Sequence, residues 1–394
     1  MKSLLLTATC LATLLAPEAL AAAIPAATFR AQVIDPKIQI GYGLAIADVD
    51  GDGRNDILLA DAREIVWYRS PKWEKFVMAR ELTVKDNVCI AAQDIDGDGK
   101  AEVAVGAEWN PGDTVGSGAI FYLDRPQDPT QPWRPVRLPH EPTTHRMHWI
   151  HDGTHGALLA VLPLHGRGNK GGQGDGIVFL GYKKPARVDD PWPTVVLDRE
   201  THQAHNFDPT YQEKAAVAPL FVAAKEGVRE LTRQADVWTS RTLTTAPAGE
   251  VRVGKTPAGK TYLTTIEPMH GNQLVVYAPS ATPGVAAPER LLLDGALIEG
   301  HALAVGDVLG LGYDQVVAGW RGSPTRPGQK VGIKLFIATD PSGRSWKEHA
   351  LIDDNQMACE DLKLADLNGD GRLDIIAAGR ATKNVVIYWN ESSR

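Results

Sequence analysis

Leu44-Ala-Ile-Ala-Asp-Val-Asp-Gly-Asp-Gly-Arg-Asn-Asp-Ile-Leu-Leu59 decides the fold. It reads as a short apolar strand, an acidic turn and a second apolar strand. Two further stretches, Ile90 to Val105 and Leu362 to Ala377, align with it without gaps. All three turns have the form Asp-x-[Asp/Asn]-Gly-Asp-Gly-x-x-[Asp/Glu]. Degenerate copies lie between them. Gly300 to Asp307, continuing through Gln315 to Gly319, keeps the strand–turn–strand length, as do His145 to Leu162, Ala204 to Ala223 and Glu250 to Glu267. The turns fall near residues 50, 96, 152, 210, 256, 309 and 368, a spacing of about 45–60 residues. A repeat of that size in short strands predicts an all-β, seven-bladed β-propeller with four strands per blade. Seven blades consume residues 22–394, which predicts one domain. Phe29 to Ile34 is strand-like and is expected to pair with the last blade, closing the ring and removing free sheet edges. Two β-sandwiches would not explain a sevenfold repeat.

The acidic turns present oxygens at every second residue around a glycine-assisted bend, the pattern a hard cation requires. The first offers Asp48, Asp50, Asp52, the Arg54 carbonyl and Asp56. The second offers Asp94, Asp96, Asp98, the Lys100 carbonyl and Glu102. The third offers Asp366, Asn368, Asp370, the Arg372 carbonyl and Asp374. Calcium is the expected ion, in a structural role. An EF-hand is excluded because its twelfth-position glutamate is replaced by Leu59, Val105 and Ala377. The turn at Asp307 has Leu309, Leu311 and Tyr313 at ligand positions, so no ion is expected there.

Composition narrows the function classes. Of 394 residues, 43% are hydrophobic and 23% charged, which excludes a disordered chain. The net charge of −7 argues against nucleic acid as a partner. Lys2, the apolar run Leu4 to Leu15 and Ala19-Leu20-Ala21 read as a secretory signal over residues 1–21, so the mature chain is expected to be secreted or periplasmic. That run is too short for a membrane span, and no later segment is long enough to replace it. The residues before Cys10 do not form a lipobox. Beyond the signal, Cys89 and Cys359 begin strands of non-neighbouring blades, too far apart for a disulfide. Both are expected to be buried thiols.

In a propeller the acidic A–B turns occupy one face. The starts of the inner strands and the ends of the next strands therefore gather on the other. The starts are Tyr42, Val88, His145, His202 with His205, Glu250, His301 and Glu360. The strand ends add Asp61, Arg63, Glu108, Trp109, His165, Arg167, Glu226, Glu267, His270, Trp320, Arg321 and Arg380. His145, His165, His205, His270 and His301 thus form a candidate site, where imidazoles brought by different blades could surround a transition metal. His165, His270, His301, Glu267 and Arg167 are the candidate catalytic residues. Trp109, Trp320, Arg321, Arg380 and Tyr42 are the candidate substrate contacts. His140, His148, His151, His155 and His349 fall outside this ring. The chain has no G-x-S-x-G elbow, P-loop or dinucleotide fingerprint. The glycine-rich run Gly166 to Gly176 reads as a hairpin beside the funnel.

The acidic turns resemble the FG-GAP/VCBS repeats of calcium-binding propellers. A second resemblance spans most of the mature chain. Pro163-Leu-His-Gly-Arg-Gly-Asn169, Ala204-His-Asn-Phe207, Gly249-Glu-Val-Arg-Val-Gly254, Ile266-Glu-Pro-Met-His-Gly-Asn272, Gly300-His-Ala-Leu-Ala-Val305 and Gly379-Arg-Ala-Thr-Lys-Asn384 are similar to the propeller domain of aldos-2-ulose dehydratases. That resemblance implies dehydration of a ketosugar such as anhydrofructose, with a metal such as zinc in the funnel. Fungal members add cupin domains for an isomerase step, which is not expected of the propeller read here. The expected function is therefore a metal-dependent carbohydrate lyase acting on a small sugar. A non-enzymatic glycan- or protein-binding propeller and a polysaccharide lyase are the alternatives.

Overall fold

The computed structural model describes residues 24–153, 156–209, 218–235, 237–280, 288–323, 325, 326 and 328–393. The signal segment, His155 and the turn near residue 210 lie outside them. The described chain forms seven four-stranded antiparallel sheets arranged as a propeller. An opening strand, β1 (Phe29–Asp35), precedes the first blade. That blade is β2 (Gly43–Ala47), β3 (Asp56–Ala60), β4 (Glu64–Arg69) and β5 (Glu74–Arg80). The second is β6 (Cys89–Gln93), β7 (Glu102–Ala107), β8 (Ala119–Asp124) and β9 (Arg134–Leu138). The third is β10 (Thr144–His151), β11 (Ala157–Pro163), β12 (Phe179–Tyr182) and β13 (Thr194–Asp198). The fourth is β14 (Ala204–Pro209), β15 (Leu220–Ala224), β16 (Gly227–Gln234) and β17 (Val237–Thr242). The fifth is β18 (Glu250–Lys255), β19 (Thr261–Glu267), β20 (Gln273–Ala278) and β21 (Glu289–Asp294). The sixth is β22 (Gly300–Gly306), β23 (Gln315–Trp320), β24 (Gly332–Ala338) and β25 (Trp346–Asp354). The seventh is β26 (Cys359–Ala365), β27 (Asp374–Gly379) and β28 (Val385–Asn390), completed by β1.

Burial explains why these residues make these strands. The second strand of a blade is covered on both faces by its neighbours, so β3, β7 and β27 are buried throughout and read as unbroken apolar runs apart from their leading acids. Outer strands alternate or face water, as β17 does. The core is a series of inter-blade layers. Leu58, Ile65 and Trp67 of the first blade meet Ile90, Val103 and Phe121 of the second. Burying a side chain of the size of Trp67 contributes ~2–3 kcal/mol.

β1 pairs with β28 in register from Phe29 opposite Asn390 to Asp35 opposite Val385. The sequence-predicted ring closure is thus present. The thiols of Cys89 and Cys359 are free and buried. Each fills a space left by a glycine: a Cβ at Gly106 would lie 2.5 Å from the Cys89 sulfur, and one at Gly319 would lie 2.5 Å from that of Cys359. The inner strands enclose a channel of about 1360 Å³, lined by apolar residues such as Leu44 and Ile90 and by His148, Asp208, Arg252 and Lys363. No helix among the described residues is long and apolar enough to cross a membrane.

Candidate functional site

Four inner strands carry the same irregularity at the same place. The ladder slips between Thr144 and Arg146, between Ala204 and Asn206, between Gly300 and Ala302, and between Cys359 and Asp361. The skipped residues are His145, His205, His301 and Glu360. A β-bulge leaves its extra residue unpaired and re-aims its side chain. Here the bulges sit at the strand starts, opposite the acidic turns, and direct these buried side chains toward one another beyond the strand-start end of the channel, whose own lining reaches toward the acidic-turn end. Blades one, two and five have no such slip in their inner ladders. The fifth contributes through a loop instead. His270 follows β19 with a left-handed backbone (φ 53°) and reaches inward.

The imidazoles of His205, His270 and His301 converge, with one ring nitrogen from each within 4.8 Å of the others. Their orientations are fixed from behind. His205 Nδ1 donates to the Gly249 carbonyl at 3.0 Å, and His301 Nδ1 donates to the Glu360 carbonyl at 2.6 Å. In a neutral imidazole the other nitrogen is then an acceptor, so both Nε2 lone pairs face inward. The Nε2 atoms of His205 and His270 lie 2.9 Å apart, close enough for one ion to be shared between them. Burial, reinforced by nearby guanidinium groups, holds all three imidazoles well below their usual pKa and so neutral. Nitrogens carried by three adjacent blades could hold a metal ion, and three protein ligands with an open position is the number zinc takes at catalytic centres. The residues present fit such an ion.

Around the trio stand groups the sequence marked only as strand tips. Glu250 is buried, with Oε1 3.1 Å from His205 Nδ1 and Oε2 2.6 Å from Asn206 Nδ2. Glu360 Oε1 lies 3.8 Å from His301 Nε2. Its carboxylate is gripped by Arg321 at 2.8 Å and Arg380 at 3.0 Å. The Arg380 guanidinium also covers the Tyr42 ring at 5.4 Å. Tyr42 donates to Asp86 at 3.2 Å, and burial pushes its hydroxyl up to about 12. Trp109 stacks on His145, with ring centroids 4.8 Å apart. Tyr42, Arg321 and Arg380 thus gather around Glu360, and Trp109 stands on His145.

Other expected members are elsewhere. His165 lies outside the trio. It bridges to Gln203 where blades three and four meet, and its buried Nδ1 has no partner. Glu267 is no free base. Arg290 holds Glu267 Oε2 at 2.7 and 3.0 Å, while Thr265 and Tyr277 donate to its other oxygen. As the last residue of β19 it turns outward along its own blade. Arg167 is half exposed and pairs with Glu141 at 3.3 Å. Trp320 is a core residue, its indole donating to the Lys330 carbonyl and packed against Val316 and Phe336. His202 pairs with Glu226 at 3.0 Å, leaving His205 as the inward histidine of blade four.

On the opposite face, the first two acidic turns each gather three carboxylates: Asp48, Asp50 and Asp56, then Asp94, Asp96 and Glu102. Asp48 accepts the N–H groups of Gly51 and Gly53, and Asp94 does the same for Gly97 and Gly99. Asp50 Oδ1 is buried without a partner. Asp52 and Asp98 accept the N–H groups of Arg54 and Lys100. In the second turn the Lys184 ammonium stands 3.4 Å from Asp96. In the third turn the counterpart of Asp50 and Asp96 is Asn368, so the corresponding positions hold two carboxylates, Asp366 and Asp374, and Asp370 is paired with the Arg372 guanidinium.

Residues 29–105 match the FG-GAP-like repeat family. No curated protein matches the sequence. Solved structures share the architecture at low identity. A chain of the mitotic checkpoint complex is 13% identical, with a TM-score of 0.58 over 98% of this chain and 99% of its own. A chain of the BBS1N–ARL6DN complex is 11% identical, with a TM-score of 0.54 over 93% and 97%. The Cps50 (Swd1) β-propeller domain of Myceliophteria thermophila is 10% identical, with a TM-score of 0.53 over 91% and 99%. These similarities establish the propeller fold alone.

Proposed function

We propose that the chain is an exported, metal-dependent carbohydrate lyase that eliminates water from a ketosugar at the mouth of the propeller. The observation that carries this reading is the convergence of His205, His270 and His301, two of them locked by backbone carbonyls into the tautomer that ligates through Nε2. A bound zinc or similar ion would supply Lewis acidity toward the substrate ketone. The remaining chemistry belongs to the chain. β-Elimination needs a base for the proton α to the carbonyl and an acid for the leaving hydroxyl. Glu360, beside His301, would take the proton on exchanging one of its ion pairs with Arg321 and Arg380. The Tyr42 hydroxyl, which burial keeps protonated at neutral pH, would supply one on leaving its hydrogen bond to Asp86. Trp109 offers an aromatic surface for a sugar ring. The acidic turns on the far face would hold calcium as a structural ion, the first turn fitting best because Asp50 keeps an unpartnered oxygen there.

The test is metal analysis of purified protein together with an ultraviolet assay for a conjugated enone. One transition-metal ion per chain, and loss of enone formation in His270→Ala with the fold retained, are expected. Protein without a transition metal, or His205→Ala, His270→Ala and His301→Ala all turning over like the parent, would sink the reading.

A further inference from the structure

We infer that Arg146 withholds His145 from a metal held by His205, His270 and His301, and so keeps one coordination position open for substrate. That role presupposes a metal at the trio, as proposed above. His145 is the counterpart of His205 and His301 in every respect but one. It sits at the same bulge of its inner strand. Its Nδ1 donates to the next blade's backbone, the His205 carbonyl, at 2.8 Å. Its ring centroid is 4.7 Å from that of His205, the same separation as His205 to His270. By position and tautomer it should be a fourth ligand, yet its nitrogen is not in the converging set.

The difference is the residue that follows. Asn206 turns to Glu250, and Ala302 has no polar side chain. Arg146 instead donates through NH1 to His145 Nε2 at 3.1 Å, and to the His145 carbonyl at 3.1 Å. The only lone pair His145 has for a metal is therefore occupied by a guanidinium proton. Trp109 packs on the same ring and favours that pose. Four protein ligands make a closed, structural zinc site, whereas three leave room for a reacting group. The Arg146–His145 pair thus decides which kind of site the mouth contains.

The experiment uses the full mature chain loaded with cobalt(II) as a spectroscopic probe, with zinc affinity measured by chelator competition. Arg146→Met removes the donor while keeping side-chain bulk. It is expected to shift the cobalt visible spectrum toward a four-histidine site, tighten zinc by about tenfold or more, and abolish turnover. Arg146→Lys retains a donor and should stay near the parent. Removal of a nearby positive charge would also tighten zinc, so His145→Ala is combined with Arg146→Met. If His145 is the added ligand, the double variant returns to the parent spectrum and the extra affinity disappears. Tightening that persists in the double variant, or an Arg146→Met spectrum and affinity equal to the parent's, overturns the role of Arg146. Failure of the parent itself to bind cobalt overturns the metal site beneath it. Circular dichroism of each variant separates these outcomes from misfolding.

Discussion

Asp61 and His148 show how single buried polar groups are spent in this fold. Asp61 immediately follows the second strand of blade one, on the face opposite the acidic turns. Its carboxylate accepts the N–H groups of Gln39, Ile40, Gly41 and Ala62. That makes it an organiser of the chain entering blade one. Asp61→Ala orphans those donors and is expected to cost about 2–4 kcal/mol, read as a drop in the urea midpoint with little change in metal content. His148 lines the channel, edge-on to Phe207, and burial beside Lys363 and Arg252 lowers its pKa to about 3. An unfolded histidine titrates near 6.5, so the folded form resists protonation. Stability should be full above about pH 6.5 and fall as pH drops toward 3, by about 1.4 kcal/mol per pH unit for this group. His148→Phe should flatten that slope in a thermal-unfolding series between pH 7 and 4. An unchanged slope would assign the acid lability to other groups.

The strands owe their stability to neighbours on both sides. Blade seven has only three strands of its own and takes its fourth from β1. Deleting residues through Asp35 exposes the β28 edge and uncovers Val386 and Tyr388. It is expected to produce aggregation or a large loss of thermal stability rather than a local fraying. Gly319 faces the Cys359 sulfur, and an added methyl group there would clash at 2.5 Å. Gly319→Ala should therefore destabilise by about 1–3 kcal/mol, and Gly319→Ala combined with Cys359→Ala should recover part of it. Recovery would show that close packing, and no thiol chemistry, sets the residue at 359.

The molecule keeps two kinds of polar cluster on opposite faces of one ring. The acidic turns join first and second strands, while the histidines sit where the first strands begin. The two should respond independently. Calcium chelation is expected to lower the melting temperature, and Asp50→Ala to reproduce part of the drop, without removing a transition metal from the mouth. His301→Ala should empty the mouth and leave the calcium response intact. Loss of both ions in either variant would show that the faces are coupled through the blades.

Much of this was legible in the residues alone. The aligned acidic turns and the strand spacing point to seven blades, because in a closed ring every four-stranded sheet is packed between two neighbours. Ring closure by residues 29–34 followed from the same need. Strand direction then placed Tyr42, Trp109, His205, His270, His301, Arg321 and Arg380 on one mouth. What the linear pattern could not convey was which way each tip turns. The bulges at His145, His205, His301 and Glu360 leave no mark in hydrophobic alternation, since one skipped residue is invisible without its partner strand. Glu267 and Trp320 have the right position in the chain, but their side chains find partners within their own blades. Arg146 sits beside a histidine in sequence, yet its hold on His145 depends on distances set by the assembled ring. Periodicity is a property of the chain, whereas the direction of a polar side chain is settled by whichever buried partner satisfies it.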